Sequence, residues 1–152
     1  MYWLYSILLG AGLVGLTPLL LLRNSPDGRY TRFLGERFGR VPEPARWAIW
    51  LHAVSVGEAL AVERLIEQLK QRFPTRPVVL SVTTAAGRSV AARRIAADQS
   101  FYAPLDFRVA ARRTLRTIRP DLVIIAESEM WPNFVREAAA ANVSAGRFRR
   151  SR

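Results

Sequence analysis

The chain has 152 residues, 23 of them Lys or Arg against 12 Asp or Glu, giving a formal charge of +11, with one His and no Cys. That length holds one α/β domain and its core but hardly two, and the missing Cys removes disulfides, thiolate metal sites and a Cys nucleophile. The cationic excess points to an anionic partner, whether nucleic acid, a phosphorylated substrate or an acidic membrane.

Residues 1–22, MYWLYSILLGAGLVGLTPLLLL, carry no charged side chain. A helix of that length, rising about 1.5 Å per residue, spans the roughly 30 Å hydrocarbon layer of a bilayer. Tyr2, Trp3 and Tyr5 suit an interfacial aromatic belt, and Arg23 follows directly. The basic start and small-residue cleavage site of a signal peptide are lacking, so an uncleaved anchor is expected. Gly10, Gly12, Gly15 and Pro18 also suit a shallow or broken interfacial helix. Arg23, Arg29, Arg32, Arg37 and Arg40 crowd the C-terminal side of this run, which puts the remainder in the cytoplasm by the positive-inside rule. Segment 23–45 then reads as a basic juxtamembrane stretch. Its RYTRFLGERFGR interleaves Arg29, Arg32 and Arg37 with Tyr30, Phe33 and Phe38, and beside an apolar anchor it suits anionic head groups better than RNA.

Residues 46–142 alternate buried-strand and amphipathic-helix patterns. WAIWLHAVSV predicts a strand and GEALAVERLIEQLKQRF a helix with Leu60, Leu65, Ile66 and Leu69 inward. PVVLSVTT, SFYAPL and DLVIIAESE predict three more strands; AAGRSVAARRIAAD, FRVAARRTLRTI and WPNFVREAAAAN predict helices. The fold class is therefore α/β, a Rossmann-like parallel sheet flanked by helices and preceded by the N-terminal anchor helix. Such sheets place ligands at the carboxyl ends of their strands, where SVGE and ESEMWPN both fall.

Ala53-x-Ser55-x-Gly57 approximates a nucleophile elbow, but a hydrolase triad needs a His after the nucleophile. The single His, His52, precedes Ser55 on the same strand and reads as a strand-end histidine. No glycine-rich phosphate cradle opens a helix. Glu58 falls in the first turn of a helix, where the dipole and free amides favour a carboxylate. That is an architectural reason for it. Equally, Gly57 lets a substrate approach the backbone, and a carboxylate in the ligand crevice is placed to take a proton from a hydroxyl. Glu127 and Glu129 alternate along an extended chain and point to opposite sides, so at most one shares a site with Glu58. Trp131-Pro132 starts the next helix, with Pro where its missing N–H costs nothing.

RYTRFLGERFGR, LHAVSVGEAL, SVTTAAGRSVA, YAPLD and ESEMWPN, in this order, resemble the 3-deoxy-D-manno-octulosonic acid (Kdo) transferases over nearly the whole chain. The resemblance implies an inverting, metal-independent glycosyltransferase of the two-domain GT-B fold at the cytoplasmic face of the bacterial inner membrane. It moves Kdo from CMP-Kdo to a lipid A precursor and uses no cofactor. Glu58 matches the family's general base and Glu127 the Glu that supports the transition state. Ser55, Gly57, Arg29, Arg32 and Arg37 are assigned to the acceptor side, the arginines to its phosphates. Anionic lipids are expected partners and nucleic acid is not.

In the family, another strand and a whole donor-binding domain follow the WPN helix. Here NVSAGRFRRSR ends the chain, and residues 143–152 read as a basic tail without a strand pattern, as in a truncated or frame-shifted terminus. With the donor-binding domain absent, the expected product is an inactive N-terminal part of such an enzyme. The alternative is a non-enzymatic basic module that binds membrane or RNA through its arginines.

Overall fold

A computed structural model describes residues 29–44, 47–126 and 131–147. The expected anchor, residues 1–22, lies outside these, and no helix among the described residues is long and apolar enough to cross a membrane.

The chain enters as helix α1 (Arg29–Arg37) and then alternates β1 (Ile49–Ala53), α2 (Val56–Ala61), α3 (Glu63–Arg72), β2 (Val78–Val82), α4 (Ala85–Arg94), β3 (Gln99–Tyr102), α5 (Arg108–Ile118), β4 (Leu122–Ile125), α6 (Pro132–Ala140) and β5 (Ser144–Arg147). All five strands are parallel, in the order β3-β2-β1-β4-β5. The strand order reverses between β1 and β4, the place at whose carboxyl ends sheets of this kind bind their ligands.

Alternation along β1 explains the layers. Ile49, Leu51 and Ala53 point to one face, where they join Leu80, Val82, Ala59, Val62, Ile66 and Ala91 under α2, α3 and α4. Trp50 points to the other, among Phe101, Val123, Leu115, Ile118 and Phe134 under α5 and α6. A fully buried aliphatic or aromatic side chain contributes about 1.5–3 kcal/mol, while exposed pairs such as Lys70–Asp98 at 2.6 Å or Arg94–Glu63 at 3.3 Å contribute at most about 1 kcal/mol each. The two apolar layers therefore hold the sheet together.

Three elements differ from the sequence reading. The single helix expected over GEALAVERLIEQLKQRF is two, because Val62 leaves α2 at φ −90°, ψ −4° and turns its side chain fully into the core. The tail, read as lacking a strand pattern, supplies β5: Ser144, Ala145, Gly146 and Arg147 pair in register with Leu122, Val123, Ile124 and Ile125. Backbone pairing to an existing edge suffices there, although Ser, Gly and Arg carry no alternating apolar signal.

The basic segment is the third. Here α1 packs on β3: Phe33 meets Tyr102 edge-on at 4.7 Å, and Glu36, 2% exposed, accepts the Tyr102 N–H at 2.7 Å. Gly39 then turns the chain onto α5 at φ 84°, where a Cβ would stand 2.7 Å from the Ala110 carbonyl oxygen. Only glycine combines that conformation with that approach.

On the outer side, Glu137 of α6 is a buried carboxylate gripped by Arg112 Nε at 2.8 Å and Arg108 Nε at 2.7 Å. The hydrogen bond from Arg112 leads in holding its pKa below the ordinary 4.5, Arg108 adds to it, and burial opposes both. A folded-state pKa below the unfolded one gives stability that is present above pH 4.5 and lost as pH falls through the lowered value. Glu137→Gln is therefore expected to lower the denaturant midpoint at neutral pH and flatten its decline on acidification. An acid limb as steep as the parent's would reject this.

Candidate active site

The candidate site lies at the carboxyl ends of the adjacent strands β1 and β4. Ser55 follows β1 as the N-cap of α2, its hydroxyl accepting the Glu58 N–H at 3.4 Å. Glu58 reaches back: Oε1 accepts from Ser55 Oγ at 2.7 Å and Oε2 from the Val54 N–H at 2.6 Å. This reciprocal Ser-x-x-Glu arrangement is a capping box, shifted by one amide from its usual form. The carboxylate is half-buried and fixed in direction, and each oxygen keeps a second lone pair for a further proton or hydrogen bond. Gly57 is exposed, and a Cβ there would find nothing closer than Ser55 Oγ at 3.9 Å, so the approach to this turn is open.

Opposite, Ala126 closes β4 by donating its N–H to the His52 carbonyl at 2.9 Å. Glu127 and Glu129 lie outside the described residues. The chain returns at Trp131, whose ring meets His52 edge-on at 4.8 Å, and α6 begins with Pro132 at its first turn. Trp131 makes no side-chain cap. Asp106 caps the helix instead, from the β3–α5 loop. Its carboxylate accepts the Phe134 N–H at 2.8 Å and the Asn133 N–H at 3.3 Å, and its carbonyl takes Asn133 Nδ2 at 2.6 Å. The end of ESEMWPN is thus positioned by the end of YAPLD.

His52 is 6% exposed. Burial pushes its pKa down to about 4 against an opposing hydrogen bond with the Ser81 backbone, with the Arg37 charge adding to the fall, so it is neutral at physiological pH. Trp50 Nε1–H donates to Ser81 Oγ at 2.8 Å, and Ser81 Oγ lies 2.9 Å from His52 Nδ1. Among the described residues Nε2 has no partner.

The three arginines assigned to phosphates separate. Arg37 is half-buried, with its guanidinium bonded to the Ala103 carbonyl at 3.2 Å and to the Thr83 carbonyl, and it lies 5.1 Å from the Phe33 ring centre. Desolvation lowers its pKa, against a rise caused by Tyr102. It lashes α1 to the carboxyl ends of β2 and β3. Arg32 is exposed and pairs with Glu36 at 3.1 Å, and Arg29 opens α1 with its side chain outside the described residues. Ser55, Gly57 and Glu58 form one group, and Arg37 shares their edge of the sheet. Sequence reasoning missed the roles of Asp106, Ser81 and Glu36. For Glu58 the Ser-x-x-Glu spacing was the available signal. Among the described residues no three His, Asp or Glu side chains converge on a metal position.

Residues 32–147 match the 3-Deoxy-D-manno-octulosonic-acid transferase (kdotransferase) family. Among similar proteins, the 3-deoxy-D-manno-octulosonic acid transferase of Bordetella pertussis is 36% identical over 85% of this chain and 33% of its own length. That of Haemophilus influenzae is 33% identical over 82% of this chain and 30% of its own, and that of Chlamydophila psittaci 32% identical over 91% and 33%.

The chain belongs to the Kdo transferase family. The match takes in all five strands, the capping box and the Asp106–α6 contact. It also ends at Arg147, the last residue of β5, so that the Kdo transferase pattern includes the edge strand formed by the start of the basic tail. The chain spans about a third of the length of the curated relatives it matches.

Proposed function

We propose that this chain is the acceptor-side, Rossmann-like half of a Kdo transferase that moves Kdo from CMP-Kdo to a lipid A precursor at the cytoplasmic face of the bacterial inner membrane. The observation that carries the reading is the Glu58 carboxylate, held by Ser55 and the Val54 N–H beside the point where the strand order reverses.

In this mechanism a sugar hydroxyl of the acceptor enters over Gly57 and gives its proton to Glu58 as its oxygen attacks the anomeric carbon of Kdo. The new C–O bond forms on the face opposite the bond to the CMP phosphate, which breaks, and CMP leaves with inversion. Glu127 supports the charge that develops at the sugar. No step needs a metal or a cofactor. The donor is held by the second domain of a GT-B fold, and residues 1–22 anchor the chain. Exposed Arg32, with Arg29, attracts acceptor phosphates and anionic lipids. The carbonyl bonds of Arg37 instead give that residue the task of placing α1 beside the crevice.

The test joins this chain to the donor-side domain of a relative and supplies CMP-Kdo with lipid A precursor in detergent. Formation of a Kdo-linked lipid is the expected result. A folded, donor-binding hybrid that transfers no Kdo would reject the assignment in favour of a basic membrane-binding module.

A further inference from the structure

Helix α5 turns Ala110, Ala111, Leu115 and Ile118 into the core, and its outer face is a row of guanidinium groups. Arg108, Arg112 and Arg116 recur at every fourth position, Arg119 follows as the C-cap, and Arg113 stands beside them. All five are exposed. With a rise of about 1.5 Å per residue the row is about 16 Å long. An open groove of about 760 Å³ runs along it, and a second, of about 570 Å³, brings Trp47 to Arg112, Arg116 and Arg119.

Two carboxylates answer these five cations. Arg108 and Arg112 share Glu137, and Arg119 meets Glu43 at 3.5 Å. Arg113 and Arg116 have no ion pair among the described residues. Five positive charges against two negative leave +3 along one helix face, and like charges at this spacing repel unless an anion lies over them. Exposed apolar side chains flank the row: Val109, 73% exposed, near its start and Trp47, 57% exposed, near its end. Trp47 also sits at φ 43°, a conformation that bulky residues rarely adopt, and no burial of its ring offsets that strain. Neither the charge nor the indole is satisfied within the described fold.

An anionic bilayer meets both needs, with phosphates for the guanidinium groups and an interfacial layer for Val109 and Trp47. Single-stranded nucleic acid takes a platform of aromatic side chains, and α5 carries none. We propose that the Arg row of α5 is a docking surface for the phosphate head groups of an anionic bilayer. The helix does not insert, because its apolar side is committed to the core. This surface goes beyond the transferase reading, which uses Arg29 and Arg32, and it lies on the face of the sheet opposite α2 and Glu58. Since α5 runs antiparallel to the strands it connects, contact along its length lays the strands along the bilayer. The carboxyl ends then open parallel to the lipid surface.

The chain has no Cys, so a fluorophore on one introduced Cys reports a single place. The full chain carries it at Val109→Cys or, on the opposite layer, at the exposed Gln68→Cys, in vesicles with a quencher on the lipid head groups. In an equal mixture of phosphatidylglycerol and phosphatidylcholine, the label at 109 is expected to be quenched several-fold more than that at 68. The difference should vanish in phosphatidylcholine alone and in about 1 M salt, where the screening length is about 3 Å. One Arg near an anionic surface is worth about fivefold. Arg113→Gln with Arg116→Gln should therefore lower the ratio of contacting to free protein about 25-fold. Melting should stay near the parent's, since neither Arg has an ion pair to lose. Lys at both positions should keep the contact, which needs charge and not a planar fork. Equal quenching at 109 and 68, or quenching at 109 that ignores salt and both Gln changes, overturns the proposal. Single-stranded RNA that binds with the same Arg dependence, while the lipids leave the label unquenched, reassigns the row and overturns it too. No arm needs turnover, so failure of the transferase reading is read separately.

Discussion

Glu58→Gln in the completed two-domain enzyme is expected to lower turnover about 100- to 10,000-fold, the usual contribution of a general base, while melting and acceptor binding stay near the parent's. The local bonds explain why the two effects separate. A glutamine keeps one carbonyl oxygen for the Val54 N–H, and its NH2 turns to Ser55 Oγ, which accepts as readily as it donates. The capping box survives in altered form, and only the capacity to take a proton is lost. Glu58→Ala removes both bonds, strands the Val54 N–H and should add a stability loss of about 0.5–2 kcal/mol, the scale of a lost helix cap. A Gln enzyme with near-normal turnover would leave Glu58 a capping residue and nothing more.

The second large effect lies outside the expected catalytic set. Asp106→Ala removes a buried carboxylate that holds two amides at the start of α6. Each orphaned amide costs about 1–3 kcal/mol, so a loss on the order of 2–6 kcal/mol is expected in denaturant unfolding. Asp106→Asn keeps one acceptor oxygen and should recover part of that loss. An alanine variant within about 0.5 kcal/mol of the parent, the range of an ordinary surface change, would show that α6 is capped some other way. The same variant should reduce activity beyond its effect on folding, since Asn133 and Trp131 belong to the motif that carries Glu127.

Continuous apolar runs made β1 and β2 legible in advance. Every residue of both strands is buried, as continuous apolar runs covered on two faces should be. The break at Val62 was not legible, because nothing in AVERL marks it and only packing against the sheet fixes it. Nor was β5, whose pairing comes from an edge already in place. The position of Glu58 at a helix start was readable from Gly57 and the strand before it. Asp106 was different: its partners lie 27 and 28 residues away, and no local spacing encodes a cap supplied by another loop. Arg37 illustrates the same limit from the other side. Among aromatics and other arginines it reads as a surface cation, yet its bonds go to carbonyls 46 and 66 residues distant.

The Arg37 fork has a mechanical consequence. One planar guanidinium ties the first described helix to the tips of two neighbouring strands, so a pull on α1 is borne at the carboxyl ends of β2 and β3 and not at the back of the sheet. A load applied there is resisted by hydrogen bonds that must break together. Whatever holds the leading end of α1 is therefore coupled through one side chain to the ends of β2 and β3.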